Sequence, residues 1–357
     1  MRKYLRIPIF SNNLLNGYYK YKDEFQIYPL VSSFQVIPSI AKAKPIIFEI
    51  AFEENNYRST AKNIHKITKE LNVDVSQLNT LTPAYNKATN VLNLLTAFSN
   101  FRFYHYTPEE CWTLNSNDNR NSRSFWGMKT FTYPEFIEEF SLNIDLLTKD
   151  VQFGEIPKIT FLKYFEMPKM GSFQEINFLT EIDSLLDQYF LLNQGTRRKV
   201  DSICKLISSG IQLFGSSKSL SFVSFISCIE TLTSMEYKEE DKTIVYACNS
   251  CKKIKESTYT CECGEPIWGI SYKFKKFLAT YVSNSESSKT IFNKLYSLRC
   301  KIVHDGQLFL ADSGIDWDVD DKVEEQWVLH TQLQQITRIA LINWLLTSPN
   351  VQNETVQ

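Results

Sequence analysis

The second half of the chain contains a succession of apolar runs with a helical period. After residue 171 these runs follow one another with short polar joins between them, at 172–192, 196–214, 219–235, 269–282, 287–303 and 323–346. Amphipathic helices with short connections bury their apolar faces by packing antiparallel to one another. The sequence therefore predicts an all-α bundle over 171–350, followed by a polar tail at 351–357.

The first half has a mixed character. Segments 44–52 and 101–107 are rich in the branched and aromatic residues that are typical of strands. Between and after them, 59–71 and 134–147 have apolar residues at helical spacing. Prolines and glycines at 151–171 indicate a connection between domains. These patterns predict an α+β domain over 1–170, with a sensing or regulatory role.

Composition and charge exclude several classes of protein. The chain of 357 residues has a formal net charge of −1, so nucleic-acid binding would depend on local basic patches. No apolar stretch is long enough to span a bilayer, and no targeting segment is evident, which predicts a cytoplasmic protein without a membrane partner. The sequence also lacks the motifs of P-loop nucleotide hydrolases and of serine hydrolases.

Four of the eight cysteines lie close together in an insertion between two predicted helices, at 246–268. Cys248 and Cys251 form a C-x2-C pair, and Cys261 and Cys263 form a C-x-C pair nine residues later. Four thiolates complete the tetrahedral coordination of a structural Zn²⁺ ion, and the polar insertion is too small to form its own core. The sequence therefore predicts a structural zinc site. The alternative is a reduced loop without metal.

Residues 295–307 combine an arginine and a histidine at the end of a predicted bundle helix. RNA cleavage by an internal 2′-hydroxyl requires proton transfer and a cation for the phosphate, and it requires no metal. Histidine transfers protons near neutral pH, and the arginine fork holds phosphate oxygens. Arg299 and His304 are thus the candidate catalytic pair. Arg58 and His65 form a similar pair, but in a short, charge-rich segment of the first half.

The context of Arg299 distinguishes it from Arg58. Ile291, Leu295, Leu298 and Ile302 form an apolar stripe beside it, and the Asp-Gly pair that follows His304 favours a helix end. Five residues in an unbroken helix turn the chain by about 140°. We therefore expect either that the last turn unwinds or that two copies of the chain complete the site across a dimer axis.

The segment L-R-C-K-I-V-H-D-G resembles the HEPN ribonucleases, and most closely the ApeA-like group of bacterial antiphage defence proteins. The helix at 219–235 resembles the family helix with an acidic residue that faces the Arg/His site, which identifies Glu230 as that residue. The resemblance covers about residues 175–350. It implies a bundle that forms a homodimer and cleaves RNA without a metal cofactor. Cys300 departs from the Asn, His or Asp that often follows the family arginine.

Two hypotheses follow for the function. In the first, the chain is an abortive-infection endoribonuclease that acts on cellular RNA, including tRNA, after a phage-derived trigger. Arg299 then holds the phosphate, His304 transfers protons, and Glu230 orients either Arg299 or His304. In the second, the chain is a catalytically inactive binding module that dimerises and recognises RNA or a phage-derived protein. An alternative role for the three residues is structural, with Arg299 paired to Glu230 and His304 at the helix end.

Overall fold

The computed structural model describes residues 2–30, 41–53, 75–105, 110–113, 124–125, 128–132, 142–144, 147–148, 152–165, 175–237, 243–247, 254–258, 269–313 and 321–348. Contacts between Cα atoms divide the chain into two compact units, Met1–Asp183 and Ser184–Gln357. The fold is mixed α+β with a helical C-terminal part, as the sequence predicts at this level. The predicted join at 151–171 includes a short strand and a short helix of the first unit.

Strands and two helices make up the described part of the first unit. In chain order these are β1 (Arg2–Ser11), β2 (Tyr19–Tyr21), β3 (Phe25–Pro29), β4 (Lys44–Glu53), α1 (Val75–Phe98), β5 (Glu110–Thr113), β6 (Ser124–Phe125), β7 (Met128–Thr132), β8 (Leu142–Ile144), β9 (Lys158–Ile159), α2 (Phe161–Tyr164) and β10 (Phe178–Leu179). The main sheet has the order β2-β3-β4-β1-β8, and its strands are antiparallel. The smaller sheets are β5-β7-β6 and the parallel pair β9-β10.

Strand β4 is the centre of the first core. It is buried on both faces over almost its whole length; β1 and β3 pair with its two edges, and α1 packs against it. Ile46, Phe48 and Ile50, which share one face, are fully inaccessible to solvent, and Ile47 on the opposite face is 2% exposed. A strand buried on both faces reads as a continuous apolar run, and this explains the composition of 44–52.

One charged side chain, Glu49, interrupts the apolar run of β4 and is itself fully buried. Its carboxylate accepts hydrogen bonds from Arg6 Nε at 2.6 Å, Gln26 Nε2 at 2.6 Å and the Tyr28 hydroxyl at 2.9 Å. It also accepts from the backbone amide and the hydroxyl of Thr148. These donors occupy both carboxylate oxygens, and they hold residue 148 against the sheet.

The predictions for the first half are confirmed in part. The strand at 44–52 is confirmed, whereas 101–105 forms only an isolated bridge between Tyr104 and Phe10. Phe101 and Phe103 are buried, so the aromatic composition there reflects the core rather than a strand. The helix predicted at 134–147 is wrong at Leu142–Ile144, because these residues pair with β1. The helix predicted at 59–71 lies outside the described residues.

The second unit consists mainly of helices. These are α3 (Ile182–Leu191), whose first two residues belong to the first unit, α4 (Gln194–Leu213), α5 (Lys218–Glu236), α6 (Ile270–Tyr281), α7 (Glu286–Asp305) and α8 (Asp321–Thr347). Strands β11 (Thr243–Ala247) and β12 (Ile254–Thr258) form an antiparallel hairpin between α5 and α6. Helix α5 contacts α4, α6, α7 and α8, so it is the central helix of the unit.

The helical predictions for the second half agree closely with the structure. The last five predicted helices match α4 to α8 with small differences at their ends. The helix predicted over 172–192 is shorter than expected, because Phe178–Leu179 pairs with β9 and α3 begins only at Ile182. Tertiary pairing therefore overrides the helical period in the first part of that run.

His330 of α8 lies in the core of the second unit and is 1% exposed. The rings of Phe214, Phe222, Phe225 and Phe309 surround it. The Ser221 hydroxyl donates to the Gly210 carbonyl, so its oxygen accepts from His330 Nε2 at 2.9 Å. Burial in this aromatic cage lowers the pKa of His330 to about 4, which keeps the imidazole neutral.

Candidate functional site

Helix α7 positions Arg299 and His304 near its C-terminal end. The Ser285 side chain accepts from the Ser288 amide at the start of the helix, and Gly306 ends it in the left-handed conformation at φ 68°. This confirms the predicted helix end, since a residue without Cβ adopts that conformation with little strain. Leu295 and Ile302 of the predicted stripe are buried, and they fix the rotation of α7 in the bundle.

Glu230 lies on α5 directly opposite Arg299. Arg299 Nε is 3.1 Å from Glu230 Oε1, and the two side chains are 19% and 25% exposed. This is ion-pair distance, but the Nε–H bond is not aligned with the oxygen. The enclosed Oε1 atom consequently accepts no hydrogen bond from the described residues. The resemblance and the alternative structural role both place Glu230 against the arginine, so the contact is common to the two.

Arg299 also contacts His304 within the same chain. Arg299 Nη1 lies 2.7 Å from His304 Nε2, and the histidine is exposed. A guanidinium group is only a donor, so Nε2 is the acceptor in this contact. Arg299 thus lies between Glu230 and His304.

The contact between Arg299 and His304 corrects one expectation from the sequence. Helix α7 continues without a break to Asp305, so its last turn does not unwind. The helical angle describes where the Cα atoms lie, whereas the long arginine side chain crosses the surface of the helix to the imidazole. A single chain therefore brings the guanidinium and the imidazole together, and the helical angle between positions 299 and 304 is no longer an argument for a dimer. The homodimer stays a prediction on other grounds.

Tyr296 is a neighbour of the site that the sequence argument missed. The Arg299 guanidinium lies 6.0 Å from the centre of the Tyr296 ring, and the ring of Phe274 on α6 packs against Tyr296 with 5.3 Å between ring centres. Burial, the nearby Cys300 thiol and the Glu230 charge raise the pKa of Tyr296. The sequence could have predicted this neighbour, because side chains three residues apart on a helix lie next to each other.

The segment after α7 is tied to the start of α5. Asp312 accepts from the backbone amides of Lys218 and Ser219 at 2.9 and 2.6 Å, and these hydrogen bonds hold the pKa of the carboxyl below its usual value although burial acts to raise it. The Phe309 amide donates to the Ser219 hydroxyl at 2.8 Å. Asp312 therefore caps the start of α5, and these bonds hold the segment after α7 against it.

The predicted zinc ligands lie outside the described residues. The hairpin of β11 and β12 is described, and Ala247 pairs with Ile254, so Cys248 and Cys251 belong to the connection between two paired strands. Cys261 and Cys263 follow β12. Within the described ranges no group of three or more His, Cys, Asp or Glu side chains is arranged to hold a metal ion. The zinc site remains a prediction.

Comparisons with known proteins give no match. No family model matches the chain, and no curated protein or solved structure is significantly similar to it. Among the described helices, none is both long and apolar enough to cross a membrane.

Proposed function

We propose that the chain is a metal-independent endoribonuclease of the HEPN type, with its site on α5 and α7. The observation that carries the proposal is the position of the Arg299 guanidinium between the Glu230 carboxylate and the His304 imidazole. A cation held by a carboxylate beside an imidazole is a combination suited to phosphate chemistry with proton transfer.

Each residue has a distinct role in this proposal. Glu230 orients Arg299, because its carboxylate lies 3.1 Å from the guanidinium Nε. Arg299 donates to the non-bridging oxygens of the scissile phosphate, where negative charge increases as the reaction proceeds. His304 Nε2 carries a lone pair and takes the proton of the attacking 2′-hydroxyl when the substrate displaces Arg299 Nη1.

The leaving 5′-oxygen requires a proton donor, and a single neutral imidazole cannot be acid and base at the same moment. A homodimer would supply a second His304, which is the remaining argument for two copies. Light scattering of the purified chain at several concentrations measures this directly. A monomer that cleaves RNA with unchanged specific activity on dilution would contradict the dimer.

The test of the activity is cleavage of cellular RNA by the purified chain in excess EDTA. We expect product fragments that end in a 2′,3′-cyclic phosphate, and sequencing of RNA 5′ ends identifies whether tRNA is cut. Arg299→Ala and His304→Ala are each expected to abolish cleavage, while Lys289→Ala on the same helix leaves it unchanged. A strict requirement for added magnesium would contradict the mechanism.

The biological role that we propose is an antiphage effector whose first unit senses a phage-derived trigger. In infected cells, His304→Ala should remove both protection and growth arrest. A second candidate function is an inactive module that binds RNA or a phage protein. The contact between Arg299 and His304 favours this second function, because the guanidinium and the imidazole are engaged with each other rather than with a substrate. Protection that persists in the Arg299→Ala, His304→Ala double variant would support this second function.

We also propose a structural Zn²⁺ ion bound by Cys248, Cys251, Cys261 and Cys263. A closed four-thiolate site supplies folding energy to the insertion. Metal analysis should find about one zinc ion per chain. Cys251→Ser should lose the ion, whereas Cys300→Ser, which changes a half-exposed thiol outside the insertion, should retain it. If the chain purified under reducing conditions contains no zinc, the proposed zinc site is wrong.

A further inference from the structure

A polar groove runs along the side of α7 that faces α8. Its volume is about 470 Å³. Leu298 and Leu329 contribute apolar surface, and the remaining lining side chains are polar or charged: Asn293, Lys294, Ser297, Lys301, Glu325 and Gln326. All of these residues lie in the second unit, on two adjacent helices. The groove is therefore a feature of one folded unit.

The groove continues toward the candidate site along one exposed stripe of α7. Lys294, Ser297, Lys301 and His304 are spaced by three, four and three residues, which places them on one helical face. All four are exposed. The stripe is about 15 Å long at 1.5 Å per residue. A strand that has its scissile phosphate at Arg299 and His304 can therefore extend along it into the groove.

The charge of the groove suits an anionic backbone. The Lys301 ammonium forms no ion pair with a described residue. The Lys294 ammonium lies 2.7 Å from Glu325, but both side chains are 53% exposed. An exposed ion pair of this kind is weak, because solvent and salt screen the two charges. A phosphate can thus replace Glu325 as the partner of Lys294 at little cost.

We infer that this groove binds the single-stranded RNA segment that flanks the cleaved phosphate, an inference that rests on the proposed function. Lys294 and Lys301 bind backbone phosphates, and Leu298 and Leu329 contact a ribose or base between them. A groove of this size between two helices accommodates one backbone rather than a duplex. Glu325 opposes binding, because its carboxylate competes for Lys294.

The test measures binding separately from cleavage. A fluorescein-labelled single-stranded RNA of about twelve nucleotides with methylated 2′-hydroxyls cannot undergo 2′-hydroxyl attack, so its fluorescence anisotropy reports binding alone. We expect Lys294→Gln and Lys301→Gln each to weaken binding about fivefold at 0.1 M salt, and to reduce the slope of log K against log salt by about 0.7. A duplex of the same length should bind more weakly than the single strand.

Removing a negative charge from α8, the helix that faces α7 across the groove, should strengthen RNA binding instead of weakening it. Glu325→Gln should tighten RNA binding about two- to fivefold, which is the value of an exposed ion pair. Lys289→Gln removes the same charge from α7 outside the groove and should leave the affinity unchanged. Circular dichroism of each variant checks that the fold is intact.

The outcomes separate this inference from the proposed activity. Lysine-dependent RNA binding in a chain that cleaves nothing would support the groove and contradict the nuclease. Cleavage with unchanged affinity in Lys294→Gln and Lys301→Gln would support the nuclease and overturn the groove. Weaker binding in Lys289→Gln to the same degree as in Lys301→Gln would also overturn it, because the effect would then follow net charge rather than position. Equal binding of duplex and single strand would contradict the assigned ligand.

Discussion

Two glutamate–arginine pairs in the chain differ in how completely the carboxylate is surrounded. Glu49 in the first unit is fully buried, and donors from Arg6, Gln26, Tyr28 and Thr148 occupy both of its oxygens. Glu230 in the second unit is partly exposed, and its Oε1 atom is near Arg299 without an aligned hydrogen bond. The first carboxylate has its full set of partners, whereas the second does not.

This difference indicates different roles for the two pairs. A buried charge is stable only when it is paired and hydrogen-bonded, so the Glu49 cluster holds strands together. Glu230 lies 3.1 Å from a guanidinium that also contacts the exposed His304 imidazole. Orienting a cation in this way is what a phosphate site requires. The contrast predicts large stability effects at Glu49 and small ones at Glu230.

The largest expected effect is that of Glu49→Ala. Removing the carboxylate leaves Arg6 without its partner and several donors enclosed, so the free energy of unfolding should fall by about 3–5 kcal/mol. Urea unfolding followed by circular dichroism measures this change. Glu230→Ala is the matched control, with an expected loss below about 1 kcal/mol. Equal losses in the two variants would break the distinction between the pairs.

The same contrast extends to the histidines, because His330 is enclosed and His304 is exposed. Burial lowers the pKa of His330 to about 4, whereas an unfolded chain titrates near 6.5. Between these values the unfolded state binds more protons, so stability rises with pH in this window. We expect His330 to make the free energy of unfolding about 3 kcal/mol lower at pH 4 than at pH 7. His330→Phe should remove that component, and an unchanged pH dependence would contradict the assignment.

A smaller pH effect is expected from Glu49 at lower pH. Burial acts to raise its pKa, but hydrogen bonds from Thr148 and Gln26 and the Arg6 charge outweigh burial and hold the pKa below its usual value. The stabilisation is therefore complete above about pH 4.3, the value for an unfolded chain, and is lost as the pH falls through the folded pKa. Acid titration of stability in Glu49→Gln should lack this component. If the variant and the original chain lose stability in parallel, Glu49 is not responsible.

The sequence predicts the bundle better than the first domain, for a physical reason. Helical periods and end signals are local, so Gly306 marks the end of α7 and the stripe at Leu295 and Ile302 marks its buried face. Strand pairing depends on distant partners, so the pairing of Leu142–Ile144 with β1 overrides a local helical pattern. The approach of Arg299 to His304 depends on side-chain reach, which positions along a helix do not reveal.

The smallest expected effect on stability is that of Glu230→Gln, and it separates orientation from folding. The amide preserves the shape of the side chain but removes the charge that faces Arg299, so the free energy of unfolding should change by less than about 1 kcal/mol. In the proposed nuclease, kcat/KM for RNA should nevertheless fall about tenfold or more, because a less constrained guanidinium meets the phosphate in poorer geometry. Glu286→Gln removes an exposed charge from α7, the helix of Arg299, and should change neither quantity. Unchanged kcat/KM in Glu230→Gln would show that the bundle positions Arg299 without Glu230.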